Sequence, residues 1–242
     1  MKRPVFIVLV ALVLAGSSVA KEYEFLPSDF TALVELLPPP PAPDSPTGRA
    51  DLFTVLQVQA DRTSEQAKRA KRVATQSVTS FAQPVFGEWF QAEKFPKTVA
   101  LFERINKESQ LIVDDQVKKK WNRTRPYNFS DKVKPIVGKP NNTSYPSGHA
   151  AAAALWGTIL SAAFPEKADE FQAQIREAMW CRIIAGVHYP SDTTAGEMLG
   201  RAIAEAMLKS PNMQAALKVM REEITPYLNA EKQPEATVPA QR

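Results

Sequence analysis

The chain has very few side chains of the types that build disulfide frameworks and metal centres. Among its 242 residues there are one cysteine, Cys181, and two histidines, His149 and His188. A single cysteine excludes an intramolecular disulfide, and two histidines disfavour a zinc site built on several imidazoles. We therefore predict no metal site and no cofactor. Acid–base chemistry has only a few candidate side chains.

A large surplus of one charge is also missing. The chain has 30 basic and 26 acidic residues, which gives a formal net charge of +4. A nucleic-acid binder usually has a stronger basic surplus or basic stripes. The short basic runs at residues 68–72 and 118–120 are typical of solvated helix faces. We therefore predict no nucleic-acid partner.

Long apolar runs are absent as well. The first 20 residues have two basic residues, an apolar run over 5–15 and the small-residue ending Ser18-Val19-Ala20, the layout of a cleavable secretory signal. An uncleaved anchor is the alternative, but this run and the later one over 150–164 are shorter than the roughly 18 to 20 residues of a bilayer span. We predict a signal peptide over 1–20 and a periplasmic or secreted protein that has no membrane association after cleavage.

The rest of the chain has a helical pattern. From residue 28 onward apolar residues return every three or four positions, so we predict an all-α fold with one domain over 21–227 and a loose tail over 228–242. The proline-rich segment 38–46 should be extended and exposed. The predicted helices cover residues 29–37, 49–58, 64–79, 95–121, 147–164, 167–185, 191–209 and 211–223.

Three segments concentrate anion-binding and acid–base groups, and the first is KKKWNRTRP at 118–126. Lys118 and Arg125 are seven residues apart, so we expect both to project from one face of a helix that Pro126 ends. The guanidinium fork and the compact ammonium together suit a phosphate dianion. The alternative is an exposed basic helix end that compensates the helix dipole.

The second segment is YPSGH at 145–149. Ser147 is a good N-cap, Gly148 lets a ligand approach the backbone, and His149 falls in the first helical turn. The free amides of such a turn bind anions. The same residues are also ordinary chemistry for the start of a helix, so both interpretations stay open.

The third segment is CRIIAGVHYPSD at 181–192. Arg182 lies near the end of one predicted helix, and His188 lies four residues before Asp192, across the turn into the next. A carboxylate that accepts a hydrogen bond from one imidazole nitrogen leaves the other free as a nucleophile or base. A lone pair of this kind is more often structural, so its meaning depends on the other two segments.

The three segments together resemble the motifs of the type 2 phosphatidic acid phosphatase (PAP2) superfamily, and within it the bacterial class A non-specific acid phosphatases. That family usually has serine immediately before the arginine of the third motif. Cys181 stands there, and because a thiol is a weaker hydrogen-bond donor we leave it out of the site. The residues that match are Lys118, Arg125-Pro126, Pro146-Ser147-Gly148-His149, Arg182, His188 and Asp192.

The resemblance implies a helical bundle of the PAP2/vanadium chloroperoxidase type. It implies an exported, metal-independent acid phosphatase that hydrolyses phosphomonoesters, such as nucleotides and sugar phosphates, through a phosphohistidine intermediate. His188 would be the nucleophile, Asp192 would orient it, and His149 would act first as general acid and then as general base. The phosphate ligands implied are Lys118, Arg125, Ser147, Gly148 and Arg182.

Two further expectations concern pH and assembly. His149 has to start protonated and His188 unprotonated, so we expect a maximum of activity below neutral pH. The sequence does not decide between a monomer and a homo-oligomer, and it names no preferred ester.

Three alternatives remain. A lipid phosphate or pyrophosphate phosphatase of the same superfamily would need several apolar spans, which this sequence lacks after its first 20 residues. A vanadium-dependent haloperoxidase is similar at all three motifs but is usually much larger. A periplasmic phosphate-binding protein would need the cations but would have no use for an oriented histidine nucleophile.

Overall fold

The structure is a computed structural model that describes residues 23–231, so the predicted signal peptide and the end of the predicted tail lie outside the described residues. The regular elements of this part are all helical, which confirms the all-α prediction. None of these helices is long and apolar enough to cross a bilayer. They are α1 (Thr31–Val34), α2 (Pro46–Asp61), α3 (Ser64–Val73), α4 (Val78–Phe86), α5 (Pro96–Ile112), α6 (Lys118–Lys120), α7 (Pro126–Phe129), α8 (Gly148–Ala163), α9 (Ala168–Ile184), α10 (Pro190–Leu208) and α11 (Pro211–Glu231).

Helix α8 lies at the centre of the fold and packs mainly against α9 and α10. Its contact with α10 is very close, because a Cβ atom added to Gly196 would lie 2.4 Å from the carbonyl oxygen of Ser147, and one added to Gly200 would lie 2.1 Å from that of Ala151. The amide of Ser147 also donates to the carbonyl of Asp192 at 2.9 Å. The beginnings of α8 and α10 are therefore fixed side by side.

The first two predicted helices differ from the observed ones in their bounds. The helix predicted over 29–37 is one turn, Thr31–Val34. The one predicted over 49–58 begins earlier, because Ser45 caps it and Pro46 occupies the first turn. The proline-rich segment that precedes α2 has no regular structure and is largely exposed.

The helix predicted over 64–79 is wrong, because α3 and α4 are separate. Between them the backbone reverses through Gln76, which has a φ angle of 49° in the left-handed region. Ser77 then caps α4 by accepting a hydrogen bond from the amide of Ser80 at 3.1 Å. Because α4 lines one side of the core, this turn delivers residues 74–77 to the edge of the cavity described below.

The long helix predicted over 95–121 is one continuous run of α5, a π-helical turn over Val113–Val117, and α6. It ends at Lys120 and not at Pro126. Residues 121–125 are extended, and Pro126 begins α7, where its missing amide costs nothing.

The C-terminal helices begin and end within about two residues of the prediction, except the last. Helix α11 continues through Pro226 to Glu231. Its Ile224 and Leu228 are buried against the core, and this packing offsets the hydrogen bond that Pro226 removes. The tail predicted over 228–242 is therefore helical in its first four residues.

Candidate active site

A cavity of about 420 Å³ opens between the end of the α5–α6 helix, the start of α8 and the turn between α3 and α4. Its wall also contains amide and hydroxyl side chains such as Gln76, Asn106 and Ser109. Of the eight predicted site residues, five line this cavity: Lys118, Arg125, Gly148, His149 and His188.

Lys118 and Arg125 meet in the cavity by a different route from the one predicted. Lys118 lies on α6, whereas Arg125 follows an extended segment, so the two do not share a helix face. The Arg125 guanidinium is fixed by its Nε, which donates to the Asn142 carbonyl at 2.8 Å, and by its Nη1, which donates to the Val187 carbonyl at 2.8 Å. Both cations are buried, with exposed fractions of 6% and 3%.

The start of α8 supplies backbone donors beside Lys118. Ser147 is the N-cap, and its hydroxyl oxygen accepts a hydrogen bond from the amide of Ala150 at 3.3 Å. The first amides of a helix have no intrahelical acceptor, and Gly148 brings them close to the lysine. A Cβ atom at Gly148 would lie 3.9 Å from the Lys118 ammonium. Two sources of positive potential therefore meet at one point of the wall.

Arg182, in the last turn of α9, adds a third buried cation. It is 2% exposed, and its Nε and Nη1 have no hydrogen-bond partner among the described residues. Buried guanidinium donors of this kind normally have acceptors. Arg182 does not line the cavity itself, and neither do Ser147 and Asp192, so these three lie behind the wall.

His188 is held between Asp192 and Arg125. Its Nδ1 lies 3.4 Å from Oδ2 of Asp192, and its Nε2 lies 3.1 Å from Nη1 of Arg125. Because a guanidinium can only donate, Nε2 accepts, and the ring proton lies on Nδ1 and points to the carboxylate. Burial, together with the charge of Arg125, lowers the pKa of His188 to about 3. The ring is therefore neutral, with its lone pair on Nε2.

His149 also lines the cavity, in the first turn of α8. Its Nε2 is 3.4 Å from the carbonyl oxygen of Ala74. Burial and the charge of Arg182 lower the pKa of His149 to about 3. His149 is thus neutral in mild acid, which differs from the expectation that it starts protonated.

Cys181 lies outside the cavity. Its thiol is buried among apolar side chains of α3 and α9, 3.6 Å from a carboxylate oxygen of Glu177. Burial and the charge of Glu177 raise the pKa of this thiol to about 12. Among residues 23–231 there is also no group of three or more histidine, cysteine, aspartate and glutamate side chains that could hold a metal ion.

Several polar residues around the site were missed by the sequence analysis. Arg123 lies inside the first motif, but the spacing rule selects only Lys118 and Arg125. Asp51 has no local signal, because α2 comes 72 residues before Arg123, its ion-pair partner. Ser144 and Asn142, in the loop before α8, contact Asp192 and Arg125.

The arrangement can bind and polarise a phosphoryl group. Three buried cations and the start of α8 surround a neutral imidazole whose lone pair is oriented by a carboxylate. Charge stabilisation and positioning are what phosphoryl transfer requires of a protein.

Residues 109–215 match the family model of the PAP2 superfamily. The chain is 32% identical over 209 residues to a non-specific acid phosphatase of Salmonella typhi, covering 82% of this chain and 84% of that one. Among solved structures, a bacterial vanadium-dependent iodoperoxidase superposes with a TM-score of 0.55 at 20% identity, over 71% of this chain and 51% of the larger one. A transmembrane PAP2-type phosphatidylglycerolphosphate phosphatase from Bacillus subtilis superposes with a TM-score of 0.51 at 18% identity, over 74% of this chain and 90% of that one.

Proposed function

Because the chain belongs to the PAP2 superfamily and is an acid phosphatase, we propose that it hydrolyses phosphomonoesters through a phosphohistidine intermediate on His188. The observation that carries this proposal is the position of His188. Its Nε2 lone pair lies at the cavity wall beside Arg125, and its Nδ1 faces Asp192.

In the first step Nη1 of Arg125 turns from Nε2 of His188 to a phosphoryl oxygen, and the freed Nε2 lone pair attacks phosphorus in line. The bond between phosphorus and the ester oxygen breaks, and His149 gives a proton to the leaving alcohol. The ring becomes a phosphorylated imidazolium, which the Asp192 carboxylate stabilises through Nδ1. In the second step water attacks phosphorus, His149 takes up a proton of that water, and the P–N bond breaks. The products are the alcohol and inorganic phosphate.

Five groups hold the transferred phosphoryl oxygens in this proposal. Lys118, Arg125 and the amide of Gly148 do so at the cavity wall, and Arg182 and the Ser147 hydroxyl do so from behind it. The three side-chain cations supply the charge that stabilises the transition state. The reaction is therefore proposed to proceed without a metal ion or cofactor. In Arg182 the unpartnered Nε and Nη1 are the donors that a phosphate oxygen would satisfy.

In this proposal phosphate binding also changes the pKa of His149. Burial and the cationic neighbours lower its pKa in the free protein, and a bound dianion offsets the effect of those cations. We therefore propose that substrate binding raises the pKa of His149, so that the complex takes up the proton that the leaving group requires. A maximum of activity below neutral pH follows, since this uptake is easiest in acid.

The remaining parts of the proposal concern location and substrates. We propose export to the periplasm or the medium after cleavage of residues 1–20, as the pattern of that segment indicates. The cavity wall carries polar amides and hydroxyls, including Asn106, Ser109 and Gln110. The wall also contains apolar side chains such as Leu155 and Trp156. The proposed substrates, water-soluble esters such as nucleotides and sugar phosphates, therefore rest on the likeness to non-specific acid phosphatases.

The test is p-nitrophenyl phosphate hydrolysis by the protein in EDTA between pH 4 and 9, beside His188→Ala and Cys181→Ser. We expect chelator-resistant activity on the acid side, its loss in His188→Ala, and full activity in Cys181→Ser, whose thiol lies outside the cavity. Rapid quenching should trap a phosphoenzyme, stable in alkali and labile in acid, in the wild type only. Activity that survives in His188→Ala would refute the mechanism.

A further inference from the structure

A buried charge cluster lies behind His188, on the side away from the cavity. It consists of Asp51 from α2, Arg123 from the extended segment before α7, and Ser191 and Asp192 from the first turn of α10. The side chains of Arg123, Asp51 and Asp192 are 8%, 5% and 0% exposed. Ion pairs buried this deeply are costly unless their geometry is well satisfied.

Arg123 is the centre of this cluster. Its Nη1 donates to Oδ1 of Asp192 at 2.6 Å and to the hydroxyl of Ser191 at 2.7 Å, and its Nη2 donates to Oδ2 of Asp51 at 2.7 Å. The guanidinium also lies over the ring of Tyr189, 4.2 Å from the ring centroid. These contacts fix the guanidinium plane on two sides and on one face.

Asp51 acts as the anchor of Arg123. Besides its ion pair, its Oδ1 accepts a hydrogen bond from the amide of Ser191 at 3.1 Å, and its Oδ2 accepts one from the Ser191 hydroxyl. Helix α2 is thereby tied to the first turn of α10. Arg123 cannot move away from Asp192 without breaking contacts on both carboxylates.

The two oxygens of Asp192 have different partners. Oδ1 faces Arg123, and Oδ2 accepts from the Tyr189 amide at 2.9 Å, from the Ser144 hydroxyl, and from Nδ1 of His188. Because Arg123 fixes Oδ1, the carboxylate plane is set, and Oδ2 is directed to His188.

We propose that Arg123, anchored by Asp51, is a positioning residue of the reaction that keeps the Asp192 carboxylate ionised and oriented toward His188. This inference rests on the proposed function, because it assigns a role within the His188 mechanism. Arg123 does not line the cavity, and its Nη1 and Nη2 donors are taken by Asp51, Ser191 and Asp192. It therefore acts on the substrate only through Asp192 and His188.

The charges around Asp192 support this role. Burial alone would raise the pKa of Asp192, but the hydrogen bond from Nδ1 of His188, the charge of Arg123 and the Ser144 hydroxyl outweigh it and lower that pKa. Further groups whose charges interact with Asp192 belong to the cavity and to its rim. They are Lys118, Arg125, Tyr145 and Tyr189.

The experiment compares Arg123→Met, Arg123→Lys and Asp51→Asn with the wild type. The assay is the pH profile of p-nitrophenyl phosphate hydrolysis, with inorganic phosphate as competitive inhibitor. We expect kcat of Arg123→Met to fall by about 10- to 100-fold, the usual effect of losing an outer partner of a catalytic group. The inhibition constant of phosphate should stay essentially unchanged, because Arg123 touches no phosphate ligand in the cavity.

The pH profile separates positioning from a general structural effect. Without Arg123, Asp192 takes up a proton at a higher pH, so the acid limb should move upward by about 1 pH unit or more. Arg123→Lys restores the charge with a single contact and should return the limb toward the wild-type position. Arg201→Met is the matched control, since Arg201 forms a half-buried pair with Glu197 on the same helix. It should leave the limb in place.

Each outcome decides between the two proposals. If His188→Ala keeps activity, the proposed function fails. If His188→Ala is inactive but Arg123→Met keeps the wild-type kcat and acid limb, only the role of Arg123 is overturned. A weaker phosphate affinity with unchanged kcat would also overturn it. If Arg123→Met fails to fold, Asp51→Asn tests the proposal instead. An acid limb that is not shifted in Asp51→Asn would contradict the proposed role of Asp51 as the anchor of Arg123.

Discussion

At the scale of single residues, Lys118 is the cation whose charge changes between pH 7 and pH 9. Burial and the charge of Arg125 lower its pKa to about 8, although Asp114 and Asp192 act in the opposite direction. The free protein therefore loses this positive charge as pH rises through about 8. Arg182, whose pKa burial lowers only to about 10, keeps its charge in the same range.

We predict that the protonation of Lys118 determines how phosphate affinity depends on pH. Between pH 7 and pH 9 the wild type should lose about tenfold more affinity for inorganic phosphate than Lys118→Arg, because an arginine stays charged and a lysine with a pKa near 8 does not. Titration calorimetry at pH 7, 8 and 9 measures this ratio. Lys119→Met, at an exposed position next to it, should follow the wild type. A ratio that stays constant with pH would contradict the prediction.

At the scale of elements, the helices α8, α9 and α10 were predicted closely, whereas the meeting of Lys118 and Arg125 was predicted for the wrong reason. Apolar periodicity reports which face of a helix is buried, and that face is nearly continuous in α8. This periodicity does not predict the conformation of the segment 121–125, nor that of the loop whose Asn142 holds Arg125. The site residues were found because three motifs recur together, and not because their geometry could be read from spacing.

The turn at Gln76 shows a second limit of the same kind. A non-glycine residue in the left-handed region has no clear sequence signature, so α3 and α4 were merged into one predicted helix. The turn lies at the cavity wall, where Ala74 contacts His149. Backbone departures of this type tend to occur at functional sites, which is where pattern-based prediction is weakest.

The contact between α8 and α10 gives a prediction at this scale. Gly196→Ala should destabilise the protein by about 1 to 3 kcal/mol, because the new Cβ atom would meet the backbone of Ser147 and cannot be accommodated by a side-chain movement. Since the same contact aligns Ser147 with Asp192, kcat should fall as well. Urea unfolding and p-nitrophenyl phosphate turnover measure the two effects. Gly138→Ala, where no atom lies within 4 Å of the new Cβ atom, should change neither stability nor kcat. A Gly196→Ala protein with wild-type stability would contradict the prediction, because α8 and α10 could then move apart at no cost.

At the scale of the whole molecule, the fold brings together residues that are far apart in the sequence. Asp51 and Asp192 lie 141 positions apart, on α2 and α10, and Arg123 from a third segment joins them. No local pattern could indicate this cluster, because its members are ordinary charged residues until the three segments pack. The same packing buries His188 and partly buries His149, so that folding is coupled to their protonation.

That coupling predicts how the stability of the whole protein depends on pH. Burial lowers the pKa of both His149 and His188 to about 3, below the value of about 6.5 in an unfolded chain. Between these values the unfolded state binds more protons, so the free energy of unfolding should fall as pH drops below about 6.5, by up to about 1.4 kcal/mol per pH unit for each histidine.

Urea unfolding at pH 7, 6 and 5 measures this dependence, and His149→Gln provides the comparison because it removes one of the two titrating groups. Its unfolding free energy should fall less steeply with acid than that of the wild type. Saturating inorganic phosphate should flatten the wild-type curve too, since a bound dianion favours the protonated form of His149 in the folded state. Parallel curves for the wild type and His149→Gln, with and without phosphate, would show that His149 is protonated equally in both states, and the proposed coupling of phosphate binding to proton uptake would then fail.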